Sequence, residues 1–291
     1  NRNFSGIMMC PKGKTEDGFE THFGVNHLGH FLFTCLLLPR ILNSTPARII
    51  NVSSVGHKRG EYLFCLINLL NNYTNTDLYS VSRVNELDDI NLDRNYAPIT
   101  AYTQSKLANI LFSLELAELL EVSKIVYCIF IHRQTSPKLL SFPPDRGVNV
   151  YSLHPGVVRT ELGRYLSKSF IPGATSVVGL ILYPFQKTPE QGAQTTIYCA
   201  IDENLANETV VITGETLLQI YSNDVNTSLI SLNNKFIFNF SDCKKATPSA
   251  NARKIEDAKK LWDMSVKLVG LENWDPFTSS HDQLPPMLQN I

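Results

Sequence analysis

Two short apolar runs flank one long helical pattern, and this order constrains the fold more than any other feature of the chain. Residues 47–52 read as a buried strand that runs into Ser53 and Ser54, and residues 148–153 read as a second strand. Between them, residues 101–120 carry leucine and isoleucine at helical spacing. Strands that alternate with helices are typical of an α/β fold. We therefore predict an α/β fold with a doubly wound parallel sheet.

The predicted helix carries a tyrosine and a lysine on one face. Tyr102 and Lys106 are four positions apart, so their side chains lie one above the other on a helix. A nearby cation favours the phenolate and lowers a tyrosine pKa that is ordinarily about 10. A tyrosine tuned in this way can act as a general acid or base near neutral pH. Because the pair also arises by chance, its interpretation depends on the sequence around it.

Several motifs in a fixed order give the chain a specific resemblance. Residues 154–160 follow the second predicted strand, at the sheet edge where open α/β proteins bind their ligands. With the other motifs, this segment resembles the short-chain dehydrogenase/reductase family and, within it, the retinol dehydrogenase group. The matching stretches are Gly24–Phe31, Asn51–Ser54, Tyr102–Asn109, His154–Thr160, Lys187–Gln194 and Phe240–Cys243.

The resemblance implies a catalytic role for four residues. Tyr102 would be the acid/base, and Lys106 would lower its pKa and hydrogen-bond the nicotinamide ribose. Ser54 would hold the substrate oxygen, and Asn26 would support a water-linked proton relay behind the lysine. In such a reaction a hydride moves to or from the cofactor while the tyrosine moves the alcohol proton.

The resemblance also implies a site for NADP or NAD. The loop after the second predicted strand would cradle the nicotinamide end through Pro155, Gly156, Val158 and Thr160. The other implied cofactor contacts are Asn26, Tyr102 and Lys106. No metal is expected, because neither the six cysteines nor the seven histidines show the spacing of a ligand set.

The family's glycine-rich cofactor turn, Thr-Gly-x-x-x-Gly-x-Gly, does not occur in the sequence. Such a turn lets the backbone approach the cofactor pyrophosphate at a helix N-terminus. The chain begins with Asn1, and Asn3-Phe4-Ser5-Gly6 stands where the family usually has Asn-Asn-Ala-Gly after its fourth strand. We therefore expect a Rossmann-type doubly wound parallel sheet that lacks its N-terminal strands and glycine-rich loop.

Three stretches do not match the family pattern: about 61–84, about 122–144 and about 210–239. They are rich in Leu, Ile, Asn, Ser and Tyr, without a clean period of a strand or a helix. The first stretch places Ser54 and Tyr102 about twice as far apart as the family usually does. Elsewhere the motifs interleave along the chain, which predicts one partial domain over residues 1–291.

Two interpretations of these stretches remain open. They are translated introns or lineage-specific loops. Gly60–Tyr62 and Val122–Lys124 can each be encoded by a strong splice-donor sequence, and removal of the stretches restores the family spacing. We favour translated introns on these two grounds.

Composition and resemblance together limit the partners. A hydrophobic content of 43% and a net charge of −1 allow a large core and give no electrostatic case for nucleic acid. The implied substrate is a hydrophobic alcohol or carbonyl compound. By resemblance, residues 170–185 would form a substrate lid that touches lipid, at the endoplasmic reticulum or another intracellular membrane. The alternative for this segment is a loop and helix that pack in the core. The helix expected from about 17 to 42 would pair with the Tyr102 helix in a homodimer.

Two helices have clear local signals. Thr188 and Gln191 form a capping-box pattern with Pro189 at the first helical position. Ser249 is expected to cap an amphipathic helix over residues 250–269. In the first long helix, His27 and His30 are interpreted as a polar helix edge rather than metal ligands.

Three functions fit this sequence. The favoured function is a retinol- or retinal-converting oxidoreductase, and a steroid or lipid-carbonyl reductase is the alternative within the enzyme class. A catalytically inactive protein of the same fold, acting in binding or as a scaffold, is the alternative from another class. The missing glycine-rich turn favours the inactive protein, whereas the complete set of Asn26, Ser54, Tyr102 and Lys106 favours an enzyme.

Overall fold

Helices and strands alternate along the chain. The computed structural model describes residues 2–3, 5–58, 89–134, 147–165, 186–205, 239–279 and Pro285. The strands are β1 (Arg2–Asn3), β2 (Ala47–Val52), β3 (Val148–His154), β4 (Asn239–Ser241) and β5 (Lys244–Ala246). The α-helices are α1 (Thr21–Phe23), α2 (Gly29–Leu42), α3 (Pro98–Gln134), α4 (Pro189–Ile201) and α5 (Ile255–Leu268).

The strands form one sheet in the order β1-β2-β3-β4-β5. The first four strands pair in parallel, and β5 runs antiparallel to β4. β2 and β3 pair along their length, from Ala47 opposite Val148 to Val52 opposite Leu153. The predicted parallel sheet is therefore confirmed. The carboxyl ends of β2 and β3, each followed by a candidate site segment, lie at the same edge.

Helices cover both faces of the sheet. Successive side chains of a strand point to opposite faces, and Ile49 and Ile50 of β2 accordingly enter two different clusters. Ile49 packs with side chains of α2, α3 and α5, whereas Ile50 packs with Tyr151 and with Cys199 of α4. Burial on both faces explains why the adjacent positions Ile49 and Ile50 of β2 are both apolar. The doubly wound α/β fold is confirmed.

Helix α3 is longer than the sequence pattern predicts. It begins at Pro98 and continues to Gln134, past the expected end at Leu120. Residues 121–134 contain neither proline nor glycine, so nothing in the local sequence stops the helix. The unmatched stretch 122–144 therefore starts within a helix, and its remaining residues lie outside the described part of the chain.

The other unmatched stretches fall largely on residues that the structure does not describe. Residues 61–84 and 210–238 lie outside the described part of the chain, as does the predicted lid over 170–185. Asn239, which we assigned to the third stretch, instead begins β4 and pairs with Ser152 of β3.

The first long helical segment contains a turn of π-helix. α1 is capped by Glu20 and leads into the π turn Gly24–Leu28, which continues directly as α2. By length and composition Thr21–Leu42 could cross a membrane, with a mean hydropathy of 1.2. Half of this stretch is buried, and Phe31 and Leu38 lie in the core. In this structure it packs as a core helix.

The two local helix signals have different outcomes. The Thr188 capping box is confirmed, with reciprocal bonds of 3.2 Å and 2.9 Å between Thr188 and Gln191. Ser249 does not cap α5; its Oγ accepts from the Ala252 amide at 3.4 Å, within the short 3-10 turn Asn251–Arg253. α5 begins only at Ile255, because Lys254 has an extended backbone conformation that separates the turn from the helix.

Candidate active site

The end of β2 and the first turns of α3 bring Ser54 and Tyr102 together. The Ser54 Oγ accepts a hydrogen bond from the Gly56 amide at 3.1 Å. A Cβ atom placed on Gly56 would lie 3.5 Å from Ser54 Oγ and 3.4 Å from Tyr102 Cε1. The two hydroxyl-bearing side chains therefore meet beside this glycine. The fold thus brings together two residues that are far apart in the sequence.

Burial controls the protonation of Tyr102. Its side chain is 6% exposed, and burial raises its pKa because it disfavours the phenolate, while a hydrogen bond with Ser54 acts in the lowering direction. We expected the Lys106 charge to lower this pKa. The net shift has the opposite sign, because the Lys106 Nζ lies 6.0 Å from the Tyr102 ring centroid and bonds elsewhere.

Lys106 is a buried ammonium group. It is 4% exposed, and its Nζ donates to the Val52 carbonyl at 3.1 Å. Burial lowers its pKa to about 8. An ammonium group has three donors, and no carboxylate of the described residues pairs with this one. Lys106 therefore keeps donors for a further hydroxyl or anionic ligand.

Asn26 joins three parts of the site. It lies in the π turn, is fully buried, and its Oδ1 accepts from the Ile7 amide at 2.8 Å. Its Nδ2 donates to the Ile7 carbonyl at 2.9 Å and to Ser105 Oγ at 2.9 Å. Ser105 in turn donates to the Tyr102 carbonyl at 2.8 Å. Both side-chain N–H groups of Asn26 already donate to protein atoms. A proton relay at Asn26 could therefore involve only the oxygen atoms of this residue.

Gly6 is the meeting point of Asn26, Lys106 and the loop after β3. A Cβ on Gly6 would lie 3.4 Å from Asn26 Oδ1, 3.7 Å from Lys106 Nζ and 3.8 Å from Leu162 Cδ1. A side chain here would therefore press against the lysine and the asparagine. The role of Gly6 could not be seen in the sequence, because it depends on contacts with three distant segments.

The four residues predicted to cradle the nicotinamide end lie on one loop. Gly156 has φ of +92°, and a Cβ there would come within 2.9 Å of the Lys187 side chain. Val158 forms a β-bridge with Lys187 and packs closely on Gly192. Thr160 caps the short turn Glu161–Gly163 by accepting from the Leu162 amide at 3.3 Å. These contacts hold the loop that begins at Pro155 against the start of α4.

His27 and His30 do not form a polar helix edge. His27 is fully buried and His30 is 8% exposed, so our interpretation of these residues is wrong. His27 Nε2 lies 2.9 Å from Ser265 Oγ of α5, and burial lowers its pKa to about 3. Burial and the positive charge of Lys106 lower the pKa of His30 to about 4. His30 is therefore a neutral imidazole within electrostatic range of Lys106, a relationship that the sequence pattern does not show.

The residues present fit the nicotinamide-ribose end of a dinucleotide. A buried ammonium with unused donors can bind ribose hydroxyls, and Lys106 is such a group, with its Nζ 6.0 Å from the Tyr102 ring centroid. The loop from Pro155 to Thr160 lies at the carboxyl edge of the sheet, where open α/β folds bind ligands. Among the residues that the structure describes, no group of three or more His, Cys, Asp or Glu side chains could hold a metal ion.

The sequence is similar to several known proteins. Retinol dehydrogenase 12 of Homo sapiens is 36% identical over 273 residues, which is 94% of this chain and 61% of that protein. Retinol dehydrogenase 11 of Mus musculus is 36% identical, covering 92% of this chain and 60% of its own length. Retinol dehydrogenase 13 of Homo sapiens is 35% identical, covering 93% and 60%. The chain thus spans about three fifths of the length of these relatives.

A solved structure is also similar. The crystal structure of an uncharacterized protein from Mycobacterium paratuberculosis matches with a TM-score of 0.50 and 26% identity, covering 92% of this chain and 66% of that one. No family model matches the sequence.

The parallel sheet with helices on both faces defines a Rossmann-type α/β fold, and Ser54, Tyr102 and Lys106 lie at the carboxyl edge of this sheet. The chain is similar to retinol dehydrogenases 11, 12 and 13 over 92 to 94% of its own length. These relatives, which are 34 to 36% identical to the chain, are named retinol dehydrogenases, in agreement with the family that the sequence resembles.

Proposed function

We propose that this protein is an oxidoreductase that interconverts a hydrophobic alcohol and its aldehyde or ketone with NADP or NAD. The observation that carries the proposal is the meeting of the Ser54 and Tyr102 side chains close to the buried ammonium of Lys106. The names of the relatives, retinol dehydrogenases 11, 12 and 13, support retinol and retinal as the substrate pair.

Tyr102 is the proton donor in the direction of carbonyl reduction. Burial raises its pKa, so the phenol is protonated at neutral pH and can donate to a carbonyl oxygen. Ser54 offers a second hydroxyl beside it and would orient the same oxygen. When bound, the nicotinamide supplies or accepts the hydride. In alcohol oxidation Tyr102 must accept the proton, and this direction requires a nearby positive charge to stabilise the phenolate.

Lys106 is the group that can supply this charge. With a pKa of about 8, it is mostly protonated at neutral pH. It would bind the ribose through its unused donors, and its hydrogen bond to Val52 keeps it at the edge of the sheet. Asn26 holds the segment around Ile7 and the Ser105 turn of α3, so it positions both the lysine and the tyrosine. Pro155, Gly156, Val158 and Thr160 would contact the nicotinamide.

The proposed function is tested by incubating the chain with all-trans-retinal and NADPH or NADH and measuring retinol by chromatography. Cofactor binding is measured separately by the fluorescence of NADPH. We expect binding and retinol formation with at least one of the two cofactors. A folded chain that binds neither cofactor and forms no retinol would contradict the proposal and support the inactive binding or scaffold protein. Reduction of a steroid ketone but not of retinal would support the alternative substrate class.

The proposed reaction also suggests a membrane contact and a compartment for the protein. A hydrophobic substrate favours contact with an intracellular membrane, such as that of the endoplasmic reticulum. Flotation with phospholipid vesicles tests this contact. For a homodimer, the surface to test is the outer side of α2, where Phe33 is 50% exposed. Light scattering of the wild type and of Phe33→Asp would show whether this surface joins two copies.

A further inference from the structure

A thiol, an imidazole and a carboxylate form a buried chain of contacts that the proposed reaction does not use. The Cys10 Sγ lies 3.3 Å from Nε2 and 3.5 Å from Nδ1 of His22. The His22 Nδ1 lies 2.8 Å from Glu20 Oε1. Cys10 is 5% exposed, His22 is fully buried and Glu20 is 2% exposed. These three residues, which we call the Cys10 cluster, are thus shielded from bulk water.

The hydrogen bonds assign the protons of the Cys10 cluster. The backbone amide of Cys10 donates to His22 Nε2 at 3.3 Å, so this nitrogen carries a lone pair. The other nitrogen, Nδ1, therefore carries the proton and donates it to Glu20. The second oxygen of Glu20 accepts from the Phe23 amide at 2.8 Å, which fixes the carboxylate. The basic nitrogen of His22 is consequently held on the Cys10 side of the ring.

This order of groups is that of an activated nucleophile, in which a base lies next to a thiol and a third group orients the base. The thiol lies over the ring, close to both nitrogens, so proton transfer to Nε2 needs a rotation of the Cys10 side chain in which the thiol replaces the Cys10 amide as the partner of the Nε2 lone pair. Burial and the charge of Glu20 raise the pKa of the Cys10 thiol to about 11. A thiol with such a pKa is protonated at neutral pH, so its reactivity depends on the neighbouring base.

We propose that Cys10 is a covalent modification site at which the thiol adds to a small α,β-unsaturated aldehyde, with His22 as the general base. His22 Nε2 takes the thiol proton while sulfur forms a bond to the β-carbon. The π electrons of the double bond move to form the enolate, and His22 returns the proton to the α-carbon. The reaction is an addition, with no leaving group and no change of oxidation state.

The position of the Cys10 cluster is the reason for proposing a small α,β-unsaturated aldehyde as the electrophile. The rings of His22 and Tyr102 pack edge to face, with centroids 6.5 Å apart, so the Cys10 cluster borders the tyrosine that would donate a proton to a carbonyl oxygen. The low exposure of Cys10 restricts the site to small reagents. The choice of an aldehyde rests on the proposed function, whereas the thiol and its base do not.

The experiment exposes the full chain to acrolein at neutral pH and follows each cysteine by peptide mass spectrometry. Cys35 and Cys199 are internal references, because both are buried and neither has a histidine partner among the described residues. We expect Cys10 to be modified about 100-fold faster than Cys35, the lower range of general-base catalysis. His22→Gln should remove most of this advantage, whereas His27→Gln, a second buried histidine away from the thiol, should leave it unchanged.

Unfolding of a variant is recognised in the same data, because Cys35 and Cys199 would then react faster as well. Equal rates at Cys10 and Cys35, or an unchanged Cys10 rate in folded His22→Gln, would overturn the proposal. Labelling of Cys10 by iodoacetamide that depends on His22, without addition of acrolein, would overturn the aldehyde part. Failure of retinal reduction with intact Cys10 addition would instead contradict only the proposed function.

Discussion

The Lys106 ammonium donates a hydrogen bond to the Val52 carbonyl at 3.1 Å, and this contact joins α3 to the last residue of β2. Asn109, three residues further along α3, donates to the same oxygen at 3.1 Å. In the reverse direction, Ser53 Oγ donates to the Lys106 carbonyl at 2.7 Å. These contacts fix the register of α3 against the strand end, and so they fix Tyr102 against Ser54.

Removal of the Tyr102 hydroxyl should abolish turnover while cofactor still binds. In Tyr102→Phe the ring remains packed, but no proton can be given to the substrate oxygen, so kcat should fall by a factor of about 10² to 10⁴. Retinal reduction and NADPH fluorescence measure the two properties separately. Tyr96→Phe is the matched control, since it removes a hydroxyl that bonds to the Cys10 carbonyl at 3.1 Å instead. Substantial residual kcat in Tyr102→Phe would refute the assigned role.

The buried charge of Lys106 should make stability depend on alkaline pH. Burial lowers its pKa from 10.5 to about 8, so between these values the unfolded chain binds more protons than the folded chain. The free energy of unfolding should therefore rise with pH in this window, by up to about 1.4 kcal/mol per pH unit. Urea unfolding of the wild type and of Lys106→Met is measured at the two ends of the window. The difference between the two proteins isolates the contribution of Lys106, because the other titrating groups are present in both proteins. Parallel pH profiles would contradict the prediction.

Loss of the Asn26 side chain should destabilise the fold. Asn26→Ala leaves the Ile7 amide and carbonyl without partners in a partly buried setting, and the buried Ser105 loses a donor. Unsatisfied buried polar groups cost about 1 to 3 kcal/mol each, so the free energy of unfolding should fall by about 3 kcal/mol. Chemical denaturation measures the change. The exposed Asn43 at the end of α2 provides a control, since Asn43→Ala should change stability by less than about 0.5 kcal/mol. Equal effects of the two substitutions would contradict the role of Asn26.

Local chemistry made parts of the fold predictable. The apolar runs of β2 and β3 appear in the sequence because both faces of these strands are buried. The capping box at Thr188 and Gln191 is complete within four residues, so no distant segment is needed to form it. The burial of His27 was not predictable in this way. It depends on Ser265 of α5, which is 238 positions away.

The site shows the same division between local and distant effects. Helical spacing correctly places Tyr102 and Lys106 on adjacent turns of α3. The sign of the Tyr102 pKa shift was not predictable, because it depends on burial by the whole fold. The Lys106 amine is also drawn to the Val52 carbonyl, a partner that exists only once β2 is in place. The order of the family motifs along the chain could assign Ser54 and Tyr102 to one site. Only the fold shows that their side chains meet beside Gly56.

The three unmatched stretches lead to a prediction about the transcript. If residues 61–84, 122–144 and 210–239 are translated introns, the mature message should lack the corresponding sequence. Sequencing of full-length complementary DNA measures this directly. We expect Ser54 and Tyr102 to be brought to the usual family spacing in the spliced product. A mature message that keeps all three stretches as coding sequence would establish them as lineage-specific loops.

Neutral histidines in the core should make the protein sensitive to acid. Burial and the charge of Lys106 lower the pKa of His30 from 6.5 to about 4, so between these values the unfolded chain binds more protons than the folded chain. The stabilisation is therefore present above about pH 6.5 and is lost as the pH falls towards 4, by up to about 1.4 kcal/mol per pH unit. In His30→Gln the loss of unfolding free energy that is due to this histidine should disappear. Urea unfolding at both ends of the pH window measures the change. Lys106→Met should raise the pKa of His30 towards its ordinary value and reduce the same slope. His30 and Lys106 interact electrostatically, so the double variant should change the pH dependence of stability by less than the sum of the two separate effects. Simple additivity would contradict this coupling.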